Sequence, residues 1–334
     1  MDPLTQIAAG ATMGALLAKR SEVPTALVVG AIAGGLPDLD IFIRSAEDPL
    51  LALKYHRHFT HAFVFAPVIG LMVAFATSFF CRGDHTLCRL WLFATLGAFS
   101  HGLIDACTSY GTYLYLPFSD HRESWDIISI IDPVFTVPVA LLLFVAFWVR
   151  LRRCITVAFL FAISYLAIGC LQNIRADAVL AQIADENGHV VIQASVRPSF
   201  GNIILWRLVY RSGDTYHINA VTIWPFTEPK IYAGASVPAF QREVFERSTG
   251  LPANSQQSKD IERFREFSQD YLSLHPDRSD VVGDIRYALS PDSIRPLWGI
   301  RVDPQHSDRH VTFENYRDDV EASFDRLFQM LMRR

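Results

Sequence analysis

Three imidazoles and two carboxylates fall within 25 residues of one another, in Pro37-Asp38-Leu39-Asp40 and His56-Arg57-His58-Phe59-Thr60-His61. A second group, His101-Gly102-Leu103-Ile104-Asp105, sits near the end of a later hydrophobic run. Asp and His beside membrane-grade apolar sequence are costly to desolvate, and a divalent ion is a common compensation for such a mixed set. These residues predict a metal site at a membrane surface, with Asp38, Asp40, His56, His61, His101 and Asp105 as candidate ligands. His101 and Asp105 are four apart on an expected helix, so both side chains leave the same face. The plain alternative for that pair is a hydrogen bond at a helix end. For His56 and His61 it is a set of polar residues marking the interface, and for Asp38 and Asp40 a helix terminus followed by a solvated loop. His58 alternates with the other two imidazoles and is expected to be exposed.

Nitrogen and oxygen donors without sulfur suit zinc, with manganese or iron as further candidates. The number of candidate ligands exceeds what one tetrahedral ion needs and leaves room for one or two ions, the latter as in many phosphoesterases. In that chemistry Asp40 or Asp38 serves as base, and Arg57 or His121 neutralises charge on the leaving side. Thr108, Ser109, His121 and Arg122 are placed to bind substrate, and Thr60 is a supporting partner. Asp132, followed by Pro133, has the pattern of a helix N-cap, with a supporting role at the site as the alternative.

The elements that must position these residues are apolar. Residues 62–80, 90–108, 133–149 and 155–171 each approach the roughly 20 residues that cross a hydrocarbon core. Two shorter Gly- and Ala-rich stretches, 7–18 and 23–36, are expected as short spans or a hairpin, packed through Gly10, Gly14, Gly30, Gly34 and Gly35. Four to six transmembrane helices result. Lys19 and Arg20, then Arg82 and Arg89, then Arg150, Arg152 and Arg153 mark three cytoplasmic loops. The alternate loops 37–61 and 109–131, with everything after Leu171, then face outward, and both ligand clusters arrive at one membrane face.

The 334 residues divide in character near Leu171, which predicts a transmembrane metal-site domain over 1–171 and a small α+β soluble domain over 172–334. All five cysteines lie in the first half without a Cys-x-x-Cys pair, so neither a thiolate zinc site nor a redox pair is suggested. A net charge of −4 with no basic stripe gives no reason for a nucleic-acid partner. The basic residues follow the first apolar stretch, the wrong order for a cleaved signal peptide. In the second half, strands are expected over 189–196, 203–211 and 215–224, the last two joined by a turn at Ser212-Gly213-Asp214. Helices are expected over 172–186, 238–247, 259–274 and 313–332, and short strands at Arg286-Tyr287 and Trp298-Gly299-Ile300. His189, His217, His275, His306 and His310 have no ligand spacing, and exposure is expected for the last two.

Pro-Asp-x-Asp after a small-residue helix, His-Arg-x-x-Thr-His, and His-x-x-x-Asp followed by Thr108-Ser109-Tyr110-Gly111 also resemble a known family, the YdjM-type inner-membrane proteins. The resemblance covers residues 1 to about 170 and implies a metal-dependent hydrolase, an activity that is itself inferred for the family. More remotely the chain is similar to zinc-dependent phospholipase C, but the metal-binding N-terminal Trp of that group is absent. Together these readings predict a hydrolase of the bacterial inner membrane, with an outward interfacial site for an ester or phosphoester of a lipid or lipid-linked substrate. The competing expectation is a non-enzymatic membrane protein with a structural metal and a partner-binding soluble domain. An ion or proton transporter is disfavoured because the ionisable residues gather at one end of the spans.

Overall fold

The computed structural model describes residues 1–81 and 85–332. In chain order the helices are α1 (Pro3–Ala15), α2 (Val23–Gly35), α3 (Leu51–Tyr55), α4 (Ala66–Ser78), α5 (Leu87–Ala106), α6 (Pro133–Val149), α7 (Arg152–Glu186), α8 (Arg242–Thr249), α9 (Gln256–Phe267) and α10 (Val320–Met332). The strands are β1 (Gln193–Pro198), β2 (Leu205–Ser212), β3 (Thr215–Thr222), β4 (Lys230–Pro238), β5 (Leu272–His275), β6 (Arg278–Asp284), β7 (Trp298–Arg301) and β8 (Thr312–Asn315). The chain forms two units, one of Met1–Phe42, Tyr55–Leu171 and Phe200–Ile203, the other of Ile43–Lys54, Gln172–Ser199 and Ile204–Arg334. A single cut after Leu171 would leave 43–54 and 200–203 on the wrong sides.

The first unit is helical. Asp2 caps α1 by accepting from the Leu4 and Thr5 amides, Thr86 caps α5, and Asp132 caps α6 through the Val134 and Phe135 amides. Helices α1, α2 and α5 approach until backbones touch: a methyl on Gly30 would fall 2.4 Å from the Gly10 carbonyl oxygen, and one on Gly97 2.5 Å from that of Gly30. Only glycine permits this, so small residues set the interface where lipid-like surroundings give no hydrophobic drive between helices. Ala26, Ala33, Phe93, Ala94 and Ala158 are buried in the core this packing makes.

Three segments are long and apolar enough to cross a membrane: Arg20–Phe42, Leu87–Ala106 and Arg152–Glu186. A fourth results if Leu51–His61 and Phe63–Ser78, bent by 57° at their junction, count as one span. The expectation of four to six is therefore corrected to three or four among the described residues. Residues 62–80 do not form one straight helix, since two 3-10 turns precede α4, and α6 is a shorter apolar helix of 17 residues. The stretch 23–36 instead belongs to a span through the 3-10 turns at either end of α2. Arg82, expected in a cytoplasmic loop, lies outside the described residues.

The second unit carries two four-stranded antiparallel meanders, β1-β2-β3-β4 and β5-β6-β7-β8. Helix α7 runs without a break through the expected boundary because Ala176, Val179, Leu180 and Ile183 continue a buried stripe at helical spacing. The hairpin at Gly213 (φ 55°) forms as expected. Strand β4 was not foreseen: Ile231, Ala233, Ala235 and Val237 alternate along it, but it is largely exposed. Residues 259–274 split into α9 and β5, and 313–332 into the end of β8 and α10. Arg286-Tyr287 is not a strand, because Arg286 turns back to hold Asp284 at 2.7 Å. Buried Leu50, Phe245, Leu251, Ile261, Phe264, Leu272, Val282 and Ile300 form one core cluster of this unit. His306 is exposed as expected, whereas His310 is half-buried and bonded to Asp260 at 2.8 Å.

Candidate metal centre

Four elements deliver the site, all within the first unit. Asp38 and Asp40 stand on the 3-10 turn Pro37–Phe42 that follows α2, and His61 ends a second 3-10 turn, Phe59–His61. His101 and Asp105 lie on the last turns of α5. His56 and Arg57 precede the second turn, Arg57 in the left-handed region at φ 63°. Gly102 permits the meeting of α5 with the His61 turn, since a methyl there would fall 2.2 Å from the His61 carbonyl oxygen.

The donor atoms face one another. His101 Nε2 is 2.8 Å from His61 Nε2, and Asp38 Oδ1 lies 3.4 Å and 3.6 Å from those two nitrogens. Asp105 Oδ2 is 3.1 Å from His61 Nε2 and 3.7 Å from His101 Nε2. A tetrahedral ion with bonds of about 2.0–2.1 Å would hold its ligand atoms about 3.3 Å apart, close to these separations.

The hydrogen bonds behind the donors decide what they can do. His101 Nδ1 lies 2.6 Å from the Gly34 carbonyl oxygen, which can only accept, so that nitrogen carries the proton and Nε2 presents a lone pair. His61 Nδ1 contacts Asp40 Oδ2 at 3.2 Å and Thr60 Oγ1 at 2.9 Å, while the Thr60 hydroxyl donates to Asp40 at 2.8 Å. His61 therefore also turns a lone pair inward. Two lone pairs at 2.8 Å repel unless a cation or a proton lies between them. Beside them, Asp105 Oδ2 is buried and accepts no hydrogen bond among the described residues. A buried carboxylate oxygen that accepts no aligned hydrogen bond, with Arg57 Nε at 3.2 Å, faces the two imidazole nitrogens, and the residues fit a divalent ion.

Asp40 plays a different part from Asp38. It accepts from His56 Nδ1 at 2.8 Å, the Arg57 amide at 3.0 Å and Thr60, besides its contact with His61. Asp38, Asp40 and His56 form a second group able to hold an ion, sharing Asp38 with the first group of Asp38, His61, His101 and Asp105. His61, His101 and Asp105 are fully buried, whereas the side chains of Asp38 and His56 remain 22 % and 24 % exposed. The open face of the cluster is therefore lined by Asp38 and His56.

Other expected residues are dispersed. Arg57 is buried, with Nε 3.2 Å from Asp105 Oδ2, Nη1 donating to Thr108 Oγ1 at 2.9 Å, and its guanidinium over the Tyr110 ring. Thr108 in turn donates to the Asp105 carbonyl oxygen. Ser109 is buried, and Arg122 donates to the Tyr110 carbonyl oxygen at 2.8 Å. His121 points away into solvent, 72 % exposed and 3.9 Å from Glu123. Asp132 caps α6 and accepts from the Tyr165 hydroxyl, and it belongs to neither ligand group. His58 is half-buried, edge-on to Tyr55 and Tyr113, and not exposed as its alternation suggested.

Two contributors were not anticipated. Gln6 Nε2 donates to Asp105 Oδ1 at 2.8 Å, and the Met1 amino group bonds the same oxygen. A lone amide inside the Ala- and Gly-rich α1 was the available signal for Gln6.

The Inner membrane protein YbcI of Escherichia coli (strain K12) is 33 % identical over 132 residues, 38 % of this chain and 75 % of that protein. No solved structure matches. The family match spans residues 1–176, which contain every ligand candidate described above, and on it the chain belongs to the YdjM inner membrane protein family.

Proposed function

We propose that the chain is a membrane-bound metal-dependent hydrolase whose ion, zinc by ligand type, is held by Asp38, His61, His101 and Asp105. The observation that carries this reading is the approach of His101 Nε2 and His61 Nε2 to 2.8 Å, with carboxylate oxygens of Asp38 and Asp105 3.1–3.7 Å from them. A divalent ion held there by three of these ligands, or by all four with a fifth position free, would supply Lewis acidity and lower the pKa of a bound water. Asp40 holds His61 and His56 in their tautomers, the outer carboxylate role that tunes a ligating imidazole. His56 on the open face takes the proton at Nε2 while its Nδ1–H stays on Asp40. Arg57 fixes Asp105 and Thr108 from behind. In this assignment Asp40 is an orienting carboxylate and His56 the base, a change from the roles drawn on sequence alone.

The family and its Escherichia coli member support an inner-membrane location. The positions of Lys19, Arg20, Arg89, Arg150, Arg152 and Arg153 support an outward-facing site and an extracytoplasmic second unit. A site flanked by spanning helices favours an ester or phosphoester of a lipid or lipid-linked molecule, which reaches that depth without leaving the bilayer.

Four protein ligands also suit a closed structural ion in a non-enzymatic protein, and a second ion can share Asp38. Metal analysis of the purified protein separates these readings. One or two zinc per chain is expected, lost in His61→Ala and Asp105→Ala, with Asp40→Asn binding about 10–100-fold more weakly. Metal content unchanged in both alanine variants refutes the centre. Cobalt substitution that reports four protein ligands and no exchangeable water moves the assignment to the structural ion.

A further inference from the structure

Between the two ligand motifs the chain leaves the first unit. Asp40 and His56 are bonded at 2.8 Å, yet the residues that join them, Ile43–Lys54, are part of the second unit. Within that unit the segment is built in, not draped over it. Leu50 is 3 % exposed inside the core of Phe245, Leu251, Ile261, Phe264 and Val282, and Leu53 packs on the same cluster. Asp48 accepts from both terminal nitrogens of the Arg263 guanidinium, Nη1 at 3.0 Å and Nη2 at 2.8 Å. Arg263 is itself fixed by Asp260, which accepts from His310 and from the Val311 amide.

A loop that merely closed the distance between two bonded residues would need few residues and no core of its own. Loop closure costs little extra with length, so length alone does not argue for a role. Burial of Leu50 and a bidentate ion pair do, because they remove the freedom that the loop would otherwise lend to both motifs.

We propose that Ile43–Lys54 is a tether by which the second unit sets the position of Asp40 and His56, with Leu50 as its anchor and Asp48 with Arg263 as its latch. The proposal rests on the metal-centre reading above. Asp48, Leu50 and Arg263 are positioning residues: they act on the centre through the chain.

The test is zinc affinity by competition with a chromophoric chelator, measured on the full-length protein in detergent beside its thermal unfolding. Asp48→Asn, and separately a Gly-Gly-Ser insertion after Arg44, are expected to weaken zinc binding by about tenfold, the low end of what loss of an outer support costs. Leu50→Met keeps the anchor and restores wild-type affinity where Leu50→Ala lowers it. Arg265→Ala breaks a neighbouring α9 pair, with Glu262, and is expected to leave zinc affinity unchanged. Wild-type affinity in both Asp48→Asn and the insertion variant overturns the tether and leaves the metal centre standing. So does an equal loss in Arg265→Ala, which would make the effect one of general stability. Wild-type protein that takes up no zinc overturns the centre, and the tether with it.

Discussion

Gly102 offers a perturbation that leaves every proposed ligand in place. In Gly102→Ala the new methyl would sit 2.2 Å from the His61 carbonyl oxygen and 3.2 Å from Leu114 Cδ2. The oxygen is backbone and cannot rotate aside, so the Phe59–His61 turn must retreat by at least about 0.8 Å to restore even a 3.0 Å contact. Metal–ligand distances tolerate only about ±0.2 Å, so the retreat takes His61 out of bonding range unless α5 yields instead. Overpacking of this kind costs about 1–3 kcal/mol of stability. Zinc affinity is expected to fall by at least the roughly 10–100-fold that follows loss of an outer support. Gly35→Ala is the matched control, because a methyl there meets only Ile7 side-chain carbons, at 3.2 Å and 3.8 Å. The assay is zinc competition with thermal unfolding run in parallel. A Gly102→Ala protein that melts lower but binds zinc as tightly as wild type would refute the claim that this close approach places His61.

Two further outcomes follow. Burial alone would raise the Asp48 pKa, but the Arg263 guanidinium outweighs it and holds the carboxyl below its ordinary value. A depressed carboxylate adds stability that is present above its unfolded pKa of about 3.9 and lost as pH falls through the folded value. The stability of the second unit, followed by its near-UV signal on unfolding, should therefore fall below about pH 4, and Asp48→Asn should flatten that slope; an unchanged slope removes the latch. A compartment reporter fused at the C-terminus should be active only outside the cytoplasm, and a cytoplasmic signal would reverse the orientation drawn from the basic loops.

How far the chain could be read from its letters varies with the kind of interaction. Asp38, His61, His101 and Asp105 stand out because ligand-type residues are expensive in apolar surroundings, and residue type alone flags them. Asp40 and Asp38 are indistinguishable at that level. Their roles diverge only through donors such as the Arg57 amide, whose direction depends on a backbone in the left-handed region. The Gly34 carbonyl that fixes His101 carries no side-chain signature at all. The glycines of α1 and α2 were legible as a close-packed interface because absent side chains have one common use between apolar helices. Strand β4 was not, since the alternation of Ile231, Ala233, Ala235 and Val237 is made largely of small residues and the strand is mostly exposed. The membership of Leu50 was hidden for a similar reason: a leucine in a connecting loop gives no hint of which core will receive it.

Asp48 and Arg263 are 215 positions apart. At about 5–20 residues per second a nascent chain would need roughly 10 to 40 s after synthesising the first before it could offer the second. Throughout that interval the segment between the ligand motifs lacks its hydrophobic niche, and the helices that flank it can already be assembling. On the tether proposal, the tightest hold on the cation thus waits until Arg263 and the core around it have been synthesised and folded.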